Sequence, residues 1–441
     1  MKKNPHYGVD IMGKAGFGRC DITPEVGCLL YGYVDDLKSE SVHDGLFVSA
    51  FYFEDGGVSS FLITADVCSI NTDVAEKIRQ AVSESTGVCY DNIILHGIHN
   101  HTGPNTDGNT GWGDLDTKYC FNILLPRTIE ACIVAKNNKK EALMGINIGE
   151  SRVAVNRREY DRYNNIQFGQ CEWGSFDPRM AVISFTDTDQ KPIASLVFYT
   201  CHGTCAGLCK EISRDFSGVM TDMLESFSGA PAAFFCGAEG DAGPRLDNKQ
   251  TVGTIRDVEI MGERAGNDAI EVYKGINTYS PLSVKVKSGE LTLPLKKRIP
   301  LEKAEALYNE FRDNSVNLEG QKRSYALKVI DSYKNGYEEK ESRIISQTAI
   351  VLNDTVFVSF PYELFSEIAL RIDKYTKNYH VFSLSNANGS AGYFPCDSEI
   401  SKGGYEIDMF LTLNVQPFSD NADYYLITET LKNLEDLLCT E

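Results

Sequence analysis

Seven histidines are spread over 441 residues, and three of them, His96, His99 and His101, fall within six positions. Side chains one residue apart point the same way on a strand. His99 and His101 would therefore offer two imidazoles on one face, beside Gly103 and Pro104. Such a pair suits a metal site, or a polar turn with solvated rings. His202 stands in FYTCHGTCAG, where an apolar strand gives way to a glycine-containing loop. Catalytic groups are common in that setting, and so is a hydrogen-bonded core histidine. Cys201, Cys205 and Cys209 surround it. Thiolates hold zinc; equally, a spacing of four stacks the three on one helical face as small buried side chains. The segment CGAEGDAGPR (236–245) follows a strand and carries Glu239 and Asp241, which could orient a histidine or close an Asx turn. There is no G-x-S-x-G elbow and no phosphate-binding GxxxxGK[ST] loop, and GFG at 16–18 is too short for a dinucleotide fingerprint.

The flanking patterns say what must position these groups. Strands are predicted at 16–24, at 46–53 and 59–66 (a hairpin around Glu54-Asp55-Gly56-Gly57), and at 92–98, which runs straight into HNHTGP. Further strands fall at 180–186, 193–199, 232–236, 348–360 and 381–384. Helical spacing covers 72–85, 117–136 despite Pro126, 217–227, 258–274, 364–375 and 426–438. Residues 301–339 read as an exposed, charged helical segment joining two halves, about 1–275 and about 341–441. Strand 59–66, a helix and strand 92–98 are echoed by strand 355–360, a helix and strand 381–384, each pair running into a glycine-containing loop. The echo fits an old duplication or the recurrence of a common unit.

A formal net charge of -19 repels phosphate backbones and anionic head groups, so nucleic acid is an unsuitable partner. No run of about 18 apolar residues could span a bilayer. The first thirteen residues lack a signal peptide's apolar stretch, and thirteen scattered cysteines form no dense framework. Together these predict free thiols in a cytoplasmic protein. Oligomeric state is not legible.

Taken in order, GFGRCDITP (16–24) with GY (32–33), IHNHTGPN (98–105), VNRREY (155–160), CHGTCA (201–206), SRDFSG (213–218), GAEGDAGP (237–244), PYE (361–363), GYFP (392–395) and GGYE (403–406) resemble the neutral, non-lysosomal ceramidase family. The resemblance implies an α/β fold with a layered core of two mixed β-sheets flanked by helices. It implies one large domain of two related halves joined by a helical connection at about 300–340, here without the family's C-terminal β-sandwich. Periodicity alone supports only mixed α and β.

The resemblance also implies a zinc site held by His99, His202, Glu363 and Tyr393, with Tyr393 the least ordinary ligand. His101 matches the family's general base, and Arg157 and Tyr405 match the groups that polarise the substrate carbonyl. Zinc lowers the pKa of a bound water from about 15.7 to roughly 7. The implied reaction is therefore hydrolysis of an N-acyl amide by that water, with an ester, lactone or sugar-linked substrate, or a non-catalytic binding descendant, as alternatives. The family's THTHSGP is IHNHTGP here and its GDVSPN is GDAGPR. The loop 105–116 around Trp112 is so polar that a hydrophilic small molecule is expected to suit the site as well as an N-acyl lipid.

Overall fold

The computed structural model describes residues 12–109 and 111–438; His6 lies outside them. In chain order the elements that matter are β1 (Lys14–Asp21), β2 (Phe47–Asp55), β3 (Val58–Ala65), α1 (Thr72–Thr86), β4 (Ile93–Gly97), α2 (Leu125–Asn137), β5 (Lys140–Glu150), β6 (Ala154–Tyr160), β7 (Ile166–Cys171), β8 (Arg179–Asp187) and β9 (Pro192–Tyr199). There follow α3 (Phe216–Ser228), β10 (Ala232–Cys236), α4 (Ile255–Lys274), β11 (Val284–Pro294), α5 (Leu301–Glu310), α6 (Asn317–Lys334), β12 (Ser342–Leu352), β13 (Thr355–Ser359), α7 (Ser366–Tyr375), β14 (His380–Leu384), α8 (Tyr405–Thr412) and α9 (Ala422–Leu438).

Two larger mixed sheets dominate. The first runs β10-β9-β8-β5-β1-β2-β3-β4, and the second β11-β12-β13-β14. Hairpin geometry makes most pairs antiparallel. Gly56 and Gly57, both at positive φ (54° and 88°), supply the tight turn between β2 and β3 that right-twisted strands require. Three pairs are parallel: β3 with β4, β9 with β10, and β13 with β14. Each is joined through a helix, respectively α1, α3 and α7. The echo between the two ends of the sequence is thus one of three such strand–helix–strand units.

Both faces of the central strands are covered, which is why β2, β8 and β9 read as almost unbroken apolar runs. One buried cluster lies under α1 and α2, another under α3 and α4, and a third joins Phe51, Phe53 and Phe185 with Phe357 and Phe382 of the second sheet. A fourth packs α7, α8 and α9 on that sheet. Burying one of these large aromatic side chains contributes roughly 1.5–3 kcal/mol.

Two readings need correction. The 301–339 segment is not simply exposed. Tyr325, Val329 and Ile330 of α6 are buried with Ala304 of α5, and Gln321 donates to the Met409 carbonyl of α8. Cys201, Cys205 and Cys209 do not share a helical face, because residues 201–209 form an irregular loop. Cys201 and Cys205 are buried there, and all cysteines among the described residues are free. Among those residues no helix is long and apolar enough to cross a membrane.

Candidate metal centre

Each parallel pair delivers its carboxyl ends to one place, the position where open α/β sheets bind ligands. Cys68 follows β3, His99 and His101 follow β4, His202 follows β9, Glu239 follows β10, Glu363 follows β13, and Asn386 and Tyr393 follow β14. The two histidine loops are zipped together by backbone. Gly203 N–H donates to the His99 carbonyl and His101 N–H donates to the Gly203 carbonyl, both at 3.1 Å. This zip brings residues 103 positions apart into contact: His99 Nε2 and His202 Nε2 are 2.9 Å apart.

His99 and His101 do face one side, though not through strand alternation. Residues 98–99 have left the strand, and His99 adopts a left-handed φ of 65°, which histidine tolerates better than most side chains. His101 Nε2 stands 3.3 Å from His99 Nε2. Glu363 Oε2 lies 3.4 Å from His99 Nε2 and 3.5 Å from His202 Nε2. Four donors about 2.05 Å from a tetrahedral ion would be about 3.3 Å apart. Glu363 Oε2 is also buried without a hydrogen-bond partner. An unpaired carboxylate oxygen facing two imidazole nitrogens at that spacing fits a divalent cation. The set His99, His202 and Glu363 is the donor cluster the site offers, and Cys68 forms a neighbouring one with His99 and His101.

Ring orientation is fixed from behind. His202 Nδ1–H donates to the Glu239 carbonyl at 2.8 Å, leaving Nε2 a free lone pair. Gly32, at φ 119°, abuts His101 so closely that a Cβ would come 2.2 Å from its Nδ1. Burial holds the imidazoles of His99 and His202 well below their usual range, reinforced by Arg157 and the neighbouring rings. Burial and then Arg157 lower His101 to about 3. All three are neutral and able to donate lone pairs. Burial raises Glu363 to about 7.

Glu363 and Tyr393 are register partners in a short parallel bridge. The Tyr393 hydroxyl hydrogen-bonds the Glu363 carboxylate and accepts from Arg157 Nη2 at 2.9 Å. Arg157 also donates to Glu406 from Nε at 2.9 Å. Burial alone would lower its guanidinium, but the Tyr393, Glu406 and Glu363 oxygens more than reverse this. Tyr405, the first residue of α8, sits 5.9 Å from the Tyr393 ring and 5.3 Å from Phe168. All seven residues implied by the resemblance are therefore gathered here. His96 is not: its Nδ1–H donates to Thr64 Oγ1 (3.0 Å) and its Nε2 accepts from Cys236 N–H (3.2 Å), as a core histidine.

A cavity of about 470 Å³ opens over this floor. Tyr33, Trp112, Phe168 and Tyr405 form much of its wall, and Leu318 and Glu319 at the start of α6 line it too. The polar loop 105–116 contributes little polarity to it. Asp107 is consumed by donors from Tyr31 (3.1 Å), Ser69, Asn109 and Ser390 (each 2.8 Å). The Asp107 carboxylate is thus used to hold the loop in place. No motif or spacing pointed to Phe168, Cys68 or Leu318 as part of the site. Asn386 had a weak signal, in an Asn–Gly-rich loop whose Asn386 (φ 47°) and Asn388 (φ 63°) are left-handed.

Comparison with known proteins bears on the family and the fold. A family model described as neutral/alkaline non-lysosomal ceramidase, N-terminal, matches residues 14–261. That stretch contains His99, His101, Arg157 and His202, while Glu363, Tyr393 and Tyr405 lie beyond it. The chain is 25% identical over 227 residues to a neutral ceramidase of Oryza sativa subsp. japonica (48% of this chain, 29% of that protein). It is 25% identical over 262 residues to the neutral ceramidase of Pseudomonas aeruginosa (56% and 39%). These matches span about a third of the relatives' length. The solved structure of the Pseudomonas aeruginosa neutral ceramidase shares the fold, with a TM-score of 0.73 at 18% identity over 97% of this chain and 75% of that one.

Proposed function

The chain belongs to the neutral/alkaline non-lysosomal ceramidase family, and from that premise we propose that it is a zinc-dependent hydrolase cleaving the amide of an N-acyl lipid. The observation that carries the proposal is the convergence of His99 Nε2, His202 Nε2 and the unpaired Glu363 Oε2 where the aromatic-walled cavity, lined by His202, adjoins a small inner pocket lined by His99 and Glu363. These three would hold the ion, with the Tyr393 hydroxyl beside Glu363 as fourth donor. Zinc bound there supplies Lewis acidity and makes water ionisable near neutral pH.

The remaining steps belong to the chain's own residues. His101, neutral and lining the cavity, takes the proton of the attacking water and returns it to the leaving nitrogen. Arg157 and Tyr405 stabilise charge on the carbonyl oxygen. Arg157 is held for this by Glu406 and by the face of Phe168, 5.0 Å from its guanidinium carbon. The aromatic wall favours an acyl chain over a hydrophilic ligand, because apolar area removed from water gives about 25 cal/mol per Å².

The test is hydrolysis of a panel of N-acyl amides and matching O-acyl esters by purified protein. It is repeated after chelation and after restoring Zn²⁺. Amide cleavage that is lost on chelation and regained with Zn²⁺ is expected. Protein that contains no transition metal, and whose panel activity ignores both chelator and Zn²⁺, refutes the proposal.

A further inference from the structure

Glu239 is absent from the residues that the resemblance carries over, yet it touches the centre twice. Its main-chain carbonyl accepts the Nδ1–H of His202 at 2.8 Å. Its carboxylate Oε1 lies 3.7 Å from His99 Nδ1, on the ring edge opposite the one that faces His202. The same oxygen accepts from Asn386 Nδ2 at 2.6 Å, and Asn386 Nδ2 is itself 3.0 Å from His99 Nδ1. One residue thus backs both histidines.

The carboxylate is fully buried, and its Oε2 has no hydrogen-bond partner. No lysine or arginine forms an ion pair with it among the described residues. The nearby cation, Arg157, is engaged by Glu406, which also binds Arg158 at 2.7 Å. Burying a carboxylate that only neutral donors reach, here Asn386 and Ser385, costs several kcal/mol. A second acid, Glu363, stands close by and adds repulsion. Ionised beside two neutral imidazoles, the two acids would balance the charge of a divalent cation.

We propose that Glu239 is a positioning residue of the metal centre, resting on the metal reading above. It holds His99 and His202 with their Nε2 atoms aimed inward, and it supplies the second negative charge that balances the ion. Binding of an ion through His99 Nε2 puts the ring proton on Nδ1, where the Cys68 carbonyl is the acceptor, while the Glu239 carboxylate, 3.7 Å away, acts on the ring through charge and not a hydrogen bond. Outer groups of this kind typically change metal affinity about 10- to 100-fold.

The test uses Zn²⁺ alone, titrated in competition with a chromophoric chelator, together with melting of metal-free and Zn²⁺-loaded protein. E239Q keeps the shape and the carbonyl but removes the charge. Expected is a Zn²⁺ Kd raised about 10- to 100-fold, a smaller Zn²⁺-induced rise in Tm, and a metal-free Tm equal to or above wild type. An E239Q Kd within twofold of wild type overturns the assignment. So does a fall in metal-free Tm that accompanies the weaker binding, since that marks a purely structural role. Should E239Q not fold, Asn386→Ala, which frees the carboxylate from its amide, is measured the same way. Weakened Zn²⁺ binding supports the assignment and unchanged binding overturns it. Wild-type protein that binds no Zn²⁺ overturns the metal reading itself, a result distinct from a wild type that binds and an E239Q that matches it.

Discussion

Gly203→Ala is the sharpest probe of how the centre is assembled. Gly203 lies against the His99 loop, and a Cβ there would meet the His99 carbonyl oxygen at 2.7 Å and Asn100 Cα at 2.8 Å. Ordinary contact begins at 3.4 Å, so the two loops must part by about 0.7 Å. The main chain on both sides belongs to buried residues, and both loops are tied down. Asn100 Nδ2 and Thr102 Oγ1 donate to the Ser213 carbonyl, and Asp215 accepts from the N–H groups of Cys205 and Ala206. Overpacking of this kind costs about 1–3 kcal/mol. The parting also stretches the two 3.1 Å bonds that zip the loops, each contributing about 0.5–1.5 kcal/mol. If metal binding must close the gap again, 1–3 kcal/mol appears as a Zn²⁺ affinity lower by roughly 5- to 150-fold. Turnover should fall about 10²-fold, as for a 1 Å misplacement. Chelator competition, melting with and without Zn²⁺, and kcat/KM measure the three effects. A variant with wild-type Zn²⁺ affinity and turnover would refute the claim that this backbone zip sets the spacing of His99 and His202.

Other substitutions separate the roles. His99→Ala and His202→Ala should each abolish Zn²⁺ retention, by elemental analysis, while far-UV circular dichroism stays native. His101→Ala should retain Zn²⁺ and lose about 10²–10⁴ in kcat; loss of the metal instead would make His101 a ligand. Arg157→Lys removes the fork that holds Tyr393 and Glu406, and kcat should fall about 10²–10³-fold with KM changed less. Burial raises the Asp241 carboxyl to about 7, above its unfolded value of about 3.9. A raised carboxyl favours the folded state below pH 4, and that contribution is lost as pH rises through about 7. Wild type should therefore lose stability relative to Asp241→Asn between about pH 4 and 7, read as urea midpoints, and parallel curves would contradict this.

Much of the scaffold was legible because its strands are covered on both faces and its helices are long. β2 and β3, α1 and β4 fall within two residues of their sequence bounds. The strands β5, β6, β7 and β11 escaped notice for a physical reason. β7 and β11 mix exposed and buried positions without a clean apolar run, and in β6 buried Asn156, Arg157 and Arg158 are polar. His99 and His202 were legible as residue types beside strand ends, but their meeting followed only from the family resemblance and not from the pattern of residues. It depends on Gly203 and a left-handed His99, neither of which leaves a periodic trace. Glu239 was visible only as an acid in a glycine loop, because its value lies in what is packed around it.

The convergence of three parallel strand pairs on one point has a consequence for how this protein matures. The proposed donors come from positions 99, 202 and 363, so an amino-terminal fragment emerging from the ribosome lacks the full set until the last unit, β13–α7–β14, has docked. On the proposed metal reading, an ion present at a hundred times its dissociation constant would clamp all three units with about 2.7 kcal/mol, a strap that closes only once the third has docked.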